Sequence, residues 1–568
     1  MRLRFLPMAS LMAAGLACAT RSAPPGLTDA GIADTAAAID ASFPGALIAS
    51  QRYLHFAVNR SAPSRKVTVQ HGGAFLDEFQ IQLSADTPEF WAFLDVGNYQ
   101  GEVLSLTMPD GFSADVLLAD VAPYPDDGQL YRETYRPQFH FTARRGWIND
   151  PNGLVYDDGE YHLYFQHNPY GTNWANMHWG HAVSTDLVHW QELPIALYPH
   201  APGDAVFSGS AVVDSQNTSG FRTGSEAVLV AAFTSTARGE CIVYSNDRGR
   251  TFREYEGNPV ITHYGRDPKL LWFAPGGYWV MVVYDQSAGT YDVAFYSSPD
   301  LKTWTYQSRI SGFFECPDLF ELPVDGDASN TRWVLSAADG AYRIGSFDGK
   351  VFTPETDKIP YQYGNNYYAA QTFDSAPGGR RIRLAFGKAT DASMPFSNMM
   401  TFPVELALHT TPLGPRLLPW PVAELAGLQG QAFSLADVTL APDAPNPLAT
   451  VDASLADIDA DFVPGSASEF GFSIHGDRVS YQVASGTLTV DSLGAAQAPI
   501  SLPTADGHVR LRILVDRESL EIFGNDGLAY VTVQSVPTTA AQQVSVFTTG
   551  GDVTISQLHV FPLQSAWN

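Results

Sequence analysis

Cysteine is nearly absent from this chain: Cys18, Cys241 and Cys316 are the only three in 568 residues. Cys18 falls in an N-terminal leader, and the other two make neither a disulfide framework nor a zinc-ligand spacing. Basic residues are scarce as well, 33 Lys and Arg against 60 Asp and Glu, for a net charge of −27. So acidic a chain is a poor partner for nucleic acid or an anionic membrane, and it tolerates a neutral solute such as a sugar. After the leader, no stretch is long and apolar enough to span a bilayer. The one H-x-x-H pair, His178 and His181, encloses Trp179 and Gly180, which suit a strand rather than the helix of a zinc hydrolase. No metal and no cofactor is implied.

The leader itself has Arg2 and Arg4, an apolar run over 5–17 and the small triplet Ala17-Cys18-Ala19. It reads as a secretory signal over 1–19, too short for a spanning helix. Cleavage after Ala19 fits the pattern. Alternatively Cys18 is the lipidated first residue of a lipoprotein, although Gly15 stands where Leu, Val or Ile is usual. Both readings predict export, periplasmic or extracellular, and leave anchoring open.

What the chain has in quantity is Gly (48) and Pro (38), enough to punctuate many short strands. Its length exceeds one hydrophobic core, so two or three domains are expected. Residues 20–44, rich in Ala, Asp, Pro and Gly, read as a linker. Alternating stretches over 53–58 and 66–69 predict a small N-terminal β domain over 45–125, closed by Pro123, Pro125 and Asp126-Asp127.

Residues 137–420 carry a repeat. Ser184-Thr185-Asp186-Leu187-Val188-His189-Trp190 recurs from Ser245 to Phe252, from Ser298 to Trp304 and, more weakly, from Ser346 to Phe352. Each copy is a polar turn closed by an aromatic between β-rich runs. Spacings of about fifty to sixty residues, with several strands per unit, are the signature of propeller blades. Four copies plus the run over 382–386 predict five. From 430 to 568 the repeat is gone, strands alternate, and Asn525-Asp526-Gly527 predicts a hairpin turn in a β-sandwich.

Three acidic motifs carry the chemistry: Trp147-Ile148-Asn149-Asp150-Pro151-Asn152-Gly153, Arg266-Asp267-Pro268 and Glu315-Cys316-Pro317. Asp150 is expected to end a strand where Asn152-Gly153 turns the chain, pointing into the propeller funnel. Trp147 would offer an apolar wall and Asn149 an amide for hydroxyls. Arg266 would keep Asp267 ionised by its charge. Glu315 lies between Phe313-Phe314 and Cys316-Pro317, near Asp318 and Glu321. Burial and neighbouring anions would raise its pKa, as a proton donor needs. Cys316 reads as a small packed residue. Brought together, the three carboxylates equip a glycosidase.

These motifs resemble glycoside hydrolase family 32, the β-fructosidases that include invertases, inulinases and levanases. Further matching stretches are Tyr164-Phe165-Gln166-His167-Asn168-Pro169, Met177-His178-Trp179-Gly180-His181-Ala182, Phe207-Ser208-Gly209-Ser210 and Tyr367-Tyr368-Ala369-Ala370-Gln371-Thr372-Phe373. The resemblance implies an all-β five-bladed propeller followed by a sandwich. It assigns Asp150 as nucleophile, Glu315 as acid/base and Asp267 as transition-state stabiliser. Asn149, Gln166, Trp174, Phe207, Ser208, Arg266 and Tyr368 would shape a fructose pocket. The implied activity is retaining hydrolysis of terminal fructose from levan, inulin or sucrose; a fructosyltransferase, a dianhydride-forming or an endo-acting enzyme on the same scaffold is the alternative. An inverting arabinan or xylan enzyme, or a non-catalytic fructan-binding protein, fits the motifs less well. One departure stands out. Where many members carry a rim Trp, this chain reads Phe386-Gly387-Lys388-Ala389-Thr390. Oligomeric state is not set by the sequence.

Overall fold

A computed structural model describes residues 45–84, 87–108, 118–120, 130–391, 393–537 and 544–567. The leader, the linker over 20–44 and the boundary at 123–127 lie outside the described residues. Strands dominate the rest.

Five mainly antiparallel blades build the propeller, the fourth and fifth joined into one nine-stranded sheet where Val324 pairs with Leu408. Their first strands are Gly146–Asp157, Val206–Asp214, Gly265–Phe273, Asp318–Val324 and Tyr368–Thr372, and each lies against the first strand of the next blade around a common centre. The middle strands of blades two and three, Val228–Ser235 and Tyr278–Asp285, are largely apolar on both faces. Val228–Ser235 is buried at all eight positions, because another blade packs on either side of it. The ring closes by pairing late chain with early chain. Phe396–Ser397 runs parallel to Gly146 and Trp147, and Asp374 bridges to Leu154 and Tyr156.

The four sequence repeats are the turns between the third and fourth strands of blades one to four. In each, an Asp side chain closes the turn: Asp186 accepts from the amides of Val188 and His189, Asp300 from Lys302 and Thr303, Asp348 from Lys350 and Val351, and Asp247 from Thr251. The next residue takes positive φ in every copy: Leu187 at 67°, Arg248 at 58°, Leu301 at 61° and Gly349 at 91°. The closing Trp190 and Trp304 donate back to the carbonyls of Leu187 and Leu301. Blade five uses the short turn Thr411 to Gly414 instead, which is why no fifth copy is visible.

After the propeller, two sheets of six strands pack as a sandwich over a continuous apolar core. The expected hairpin joins Glu518–Gly524 to Ala529–Ser535, with Asn525 and Asp526 at φ 43° and 59°. Ahead of the propeller, sheets of four and three strands enclose a smaller core around Phe56, Val69, Phe79 and Leu94. His178 and His181 have structural partners. His178 Nε2 meets Asp77 at 3.1 Å, and His181 stacks on Tyr164 and touches His162 Nδ1 at 3.1 Å.

Candidate active site

The three acidic motifs sit at one end of the inner strands, and each is placed by an irregularity. Asp150 was expected at a strand end. It lies instead inside a continuous strand, Gly146–Asp157, at a bulge where Asn149 and Asp150 together oppose Gln166. The turn signal Asn152-Gly153 becomes a second bulge, in which Gly153 takes φ 53° and a Cβ would fall 2.6 Å from the Tyr164 ring. The chain bends there but does not reverse, since Pro151 and Val155 both stay paired to the neighbouring strand.

The same two-against-one device recurs around the ring. Phe207 and Ser208 oppose Thr234, Asp267 and Pro268 oppose Val283, and Ala369 and Ala370 oppose Ala385. A bulge turns a side chain out of the alternation of its strand, and bulges are frequent beside active sites. In blade four the work is done just before the strand, where Glu315 and Cys316 take φ 55° and 41°; Asp267 takes 66° and Ala369 54°. Left-handed backbone at non-glycine residues costs free energy and gathers where function holds it.

The resulting contacts form one network. Ser208 Oγ donates to Asp150 Oδ2 at 2.6 Å, and Asn149 Nδ2 donates to Asp150 Oδ1 at 3.1 Å. Trp147 Nε1 orients that amide by donating to Asn149 Oδ1 at 2.9 Å. The Cys316 thiol lies 3.4 Å from Asp150 Oδ2 and 3.6 Å from Asp267 Oδ2, and its amide donates to Asp267 at 3.1 Å. Tyr368 donates to Glu315 Oε2 at 2.7 Å, and Arg266 Nη2 pairs with Glu315 Oε1. Arg266 also lies over the rings of Tyr284 and Phe314. Gln166, 2% exposed, has an amide nitrogen with no protein partner. Trp174 is 57% exposed, its ring 6.2 Å from that of Phe207.

Electrostatics differ from the sequence expectation. Arg266 gives its terminal nitrogen to Glu315 and keeps only a 3.7 Å contact from Nε to Asp267. Burial therefore pushes Asp267 up to about 7, Arg266 opposing it and Asp150 and Glu315 adding to it. Burial also raises Asp150, against hydrogen bonds from Ser208, Asn149 and Cys316 that favour its charged form. Asp318 and Glu321 do not face Glu315. Asp318 is buried beside Lys269 at 3.2 Å and receives the Thr372 amide, while Glu321 bonds Thr331 on the outer side of the blade. Cys316, read as mere packing, touches two of the three carboxylates. Its position directly after Glu315 was the only sign. Phe386 stands against Tyr368, 6.0 Å between rings, so an aromatic does border this side of the site.

A propeller with three carboxylates converging at one end of its inner strands, followed by a sandwich, is the build of a glycoside hydrolase. The model for the glycosyl hydrolases family 32 N-terminal domain matches residues 140–421, and that for the family 32 C terminal matches 424–562. The chain is 40% identical over 518 residues to a levanase of Bacillus subtilis, covering 82% of this chain and 74% of that protein. It is 31% identical over 521 residues to the extracellular exo-inulinase of Aspergillus ficuum, 77% of this chain and 96% of that one. The crystal structure of exo-inulinase from Aspergillus awamori superimposes with a TM-score of 0.70 at 28% identity, over 77% of this chain and all of that one. The chain belongs to glycosyl hydrolase family 32.

Proposed function

We propose that this protein is an exported, retaining β-fructosidase that releases terminal fructose from fructans and from sucrose. The observation that carries the reading is the single network joining Asp150, Asp267 and Glu315 through Cys316 and Arg266. The likeness to a levanase and an exo-inulinase supports the substrate class, and the basic and apolar leader over 1–19 supports export.

In this reading Asp150 attacks the anomeric carbon. Three donors point at its carboxylate and hold the oxygens in place for attack. Glu315 protonates the leaving oxygen and then, as a base, draws a proton from water, which releases the sugar. Such double displacement needs carboxyl groups roughly 5–5.5 Å apart. Burial raises Asp150 and pushes Asp267 up to about 7, so these two buried acids hold a proton towards the neutral range. Asp267, when ionised, accepts sugar hydroxyls and stabilises the developing positive charge. Gln166 offers its free amide, Trp147, Trp174 and Phe207 offer apolar faces, and Asn149, Ser208, Arg266 and Tyr368 hold the carboxylates. We further assign 45–125 to an accessory β domain, 137–420 to the catalytic propeller and 430–568 to the sandwich.

The test is a product profile from purified protein on sucrose, inulin and levan separately, resolved over time by anion-exchange chromatography. Fructose alone from the start is expected. Early oligosaccharides, transfer products or a cyclic difructose would replace exo-hydrolysis with another use of the same intermediate. No release from any substrate would sink the fructosidase reading.

A further inference from the structure

The N-terminal sheets have no part in the chemistry above, yet they hold the loop that carries Trp174. Tyr170 leaves blade one and enters the N-terminal core, fully buried, its ring stacked on Phe79 at 3.6 Å. Its hydroxyl donates to Asp77 Oδ2 at 2.7 Å, and Asp77 Oδ1 meets His178 Nε2 at 3.1 Å. Asp77, Tyr170 and His178 are each at most 1% exposed, so none can exchange its partner for water. Two further ties pin the loop. Asn176 exchanges hydrogen bonds of 2.8 Å with the backbone of Gln80, and Arg60 Nε donates to Thr172 Oγ1 at 2.9 Å. Trp174 stands between these pins, beside Phe207, whose neighbour Ser208 bonds Asp150.

Between this loop and the strands Ser64–His71 and Ala74–Gln82 runs a groove of about 470 Å³. Among the described residues its polar lining includes Ser64, Gln80, Gln82, Thr172 and Asn173, hydroxyls and amides rather than acids. Arg60, its one cation, is engaged by Glu89, Thr172 and the Met394 carbonyl. In a chain of net charge −27, a groove of amides and hydroxyls whose cation is already paired selects a neutral, hydroxyl-bearing ligand. It also adjoins the loop residues on both sides of Trp174, whose ring lies 6.2 Å from that of Phe207.

We propose that this groove is an accessory subsite for the fructan chain behind the terminal fructose, and that Asp77, Tyr170 and Arg60 are positioning residues that hold Trp174 between subsite and active site. The proposal rests on the fructosidase reading and adds that the N-terminal sheets set the preference for polymer over sucrose.

The experiment compares kcat/KM on high-mass levan or inulin with kcat/KM on sucrose, for the full chain and two variants. Ser64→Trp fills the groove from an exposed strand position. Asp77→Asn keeps volume and one acceptor for Tyr170 while weakening the tie to the loop. Both are expected to lower the polymer-to-sucrose ratio at least fivefold, chiefly through the KM for polymer. An unchanged ratio in Ser64→Trp overturns the subsite, and loss of thermal stability with an unchanged ratio in Asp77→Asn reduces that residue to a structural role and overturns its assignment. A wild-type protein that releases fructose from nothing sinks the fructosidase reading instead, so the two failures are told apart.

Discussion

Asp516 and Glu521, where the sandwich meets the propeller, are buried carboxylates with abundant donors; Asp150, Asp267 and Glu315 are neighbouring carboxylates beside one guanidinium, Arg266, which meets Glu315 and Asp267. Asp516 receives the amides of Gln138, Phe139 and His140 and the His140 ring at 2.8 Å. Glu521 receives the other ring nitrogen at 3.0 Å, the Phe402 amide and the Tyr530 hydroxyl. Between them His140 is driven up to about 9, the two acids outweighing the burial that opposes its charge. At the catalytic end the balance is reversed, and two of the acids are raised by burial. The same residue types thus make a clamp where donors surround the acids and a reactive site where fewer do. Well-satisfied acids tie the sandwich to the propeller, and acids raised by burial cost stability that the rest of the fold supplies.

The largest expected effect comes from removing the reactive group. Asp150→Ala should lower kcat by about 10⁴-fold or more on sucrose while leaving the circular dichroism spectrum in place. Retention of a tenth of the activity would refute the nucleophile assignment.

Breaking the clamp comes next. His140→Ala leaves two buried carboxylates facing each other and should cost about 3–5 kcal/mol in urea unfolding. Because the folded pKa of His140 lies above its ordinary 6.5, its contribution is fully present below about pH 6.5 and is lost as pH rises through about 9. Wild-type stability should fall across that window, and the fall should be absent in the variant.

The opposite sign is expected at the catalytic end. Asp267→Asn should abolish most activity yet raise stability by about 0.5–2 kcal/mol near neutral pH. The folded pKa of Asp267 is raised from 3.8 to about 7, so the folded state binds the extra proton and this group erodes stability as pH climbs through that range. The gain should therefore vanish near pH 4. A variant less stable than wild type at pH 7 would mean that the carboxylate is structural.

The smallest effect tests the thiol. Cys316→Ser places a stronger donor against Asp150 and Asp267, which should favour their charged forms and move the acid limb of kcat/KM to lower pH by less than about one unit. A shift to higher pH would contradict the contact seen at Sγ.

Much of this comparison was legible in the chain. The Asp-closed turns recur at blade spacing because each must cap one third-to-fourth strand connection with the same backbone geometry, and that geometry demands the same Ser, Asp and aromatic. The three acids proposed as catalytic stood out because each lies in a compact local motif. Local sequence misled where a signal had two structural outcomes. Asn152-Gly153 can turn a chain or bulge a strand, and here pairing on both sides chose the bulge. Arg266 next to Asp267 suggested an ion pair between neighbours, but its guanidinium reaches across to Glu315. Asp318 and Glu321 lie close to Glu315 in sequence, yet strand alternation and the irregular backbone at 315 and 316 send them elsewhere.

By itself, then, the sequence determined the all-β class, the count of blades and the hairpin of the sandwich, since periodicity and turn chemistry are local properties. Only the tertiary structure decided which acids share Arg266, that Cys316 bridges two of them, that His140 clamps the sandwich, and that Tyr170 plugs into the N-terminal core. Those facts depend on burial and on contacts between residues tens to hundreds of positions apart, and local sequence carries no measure of either.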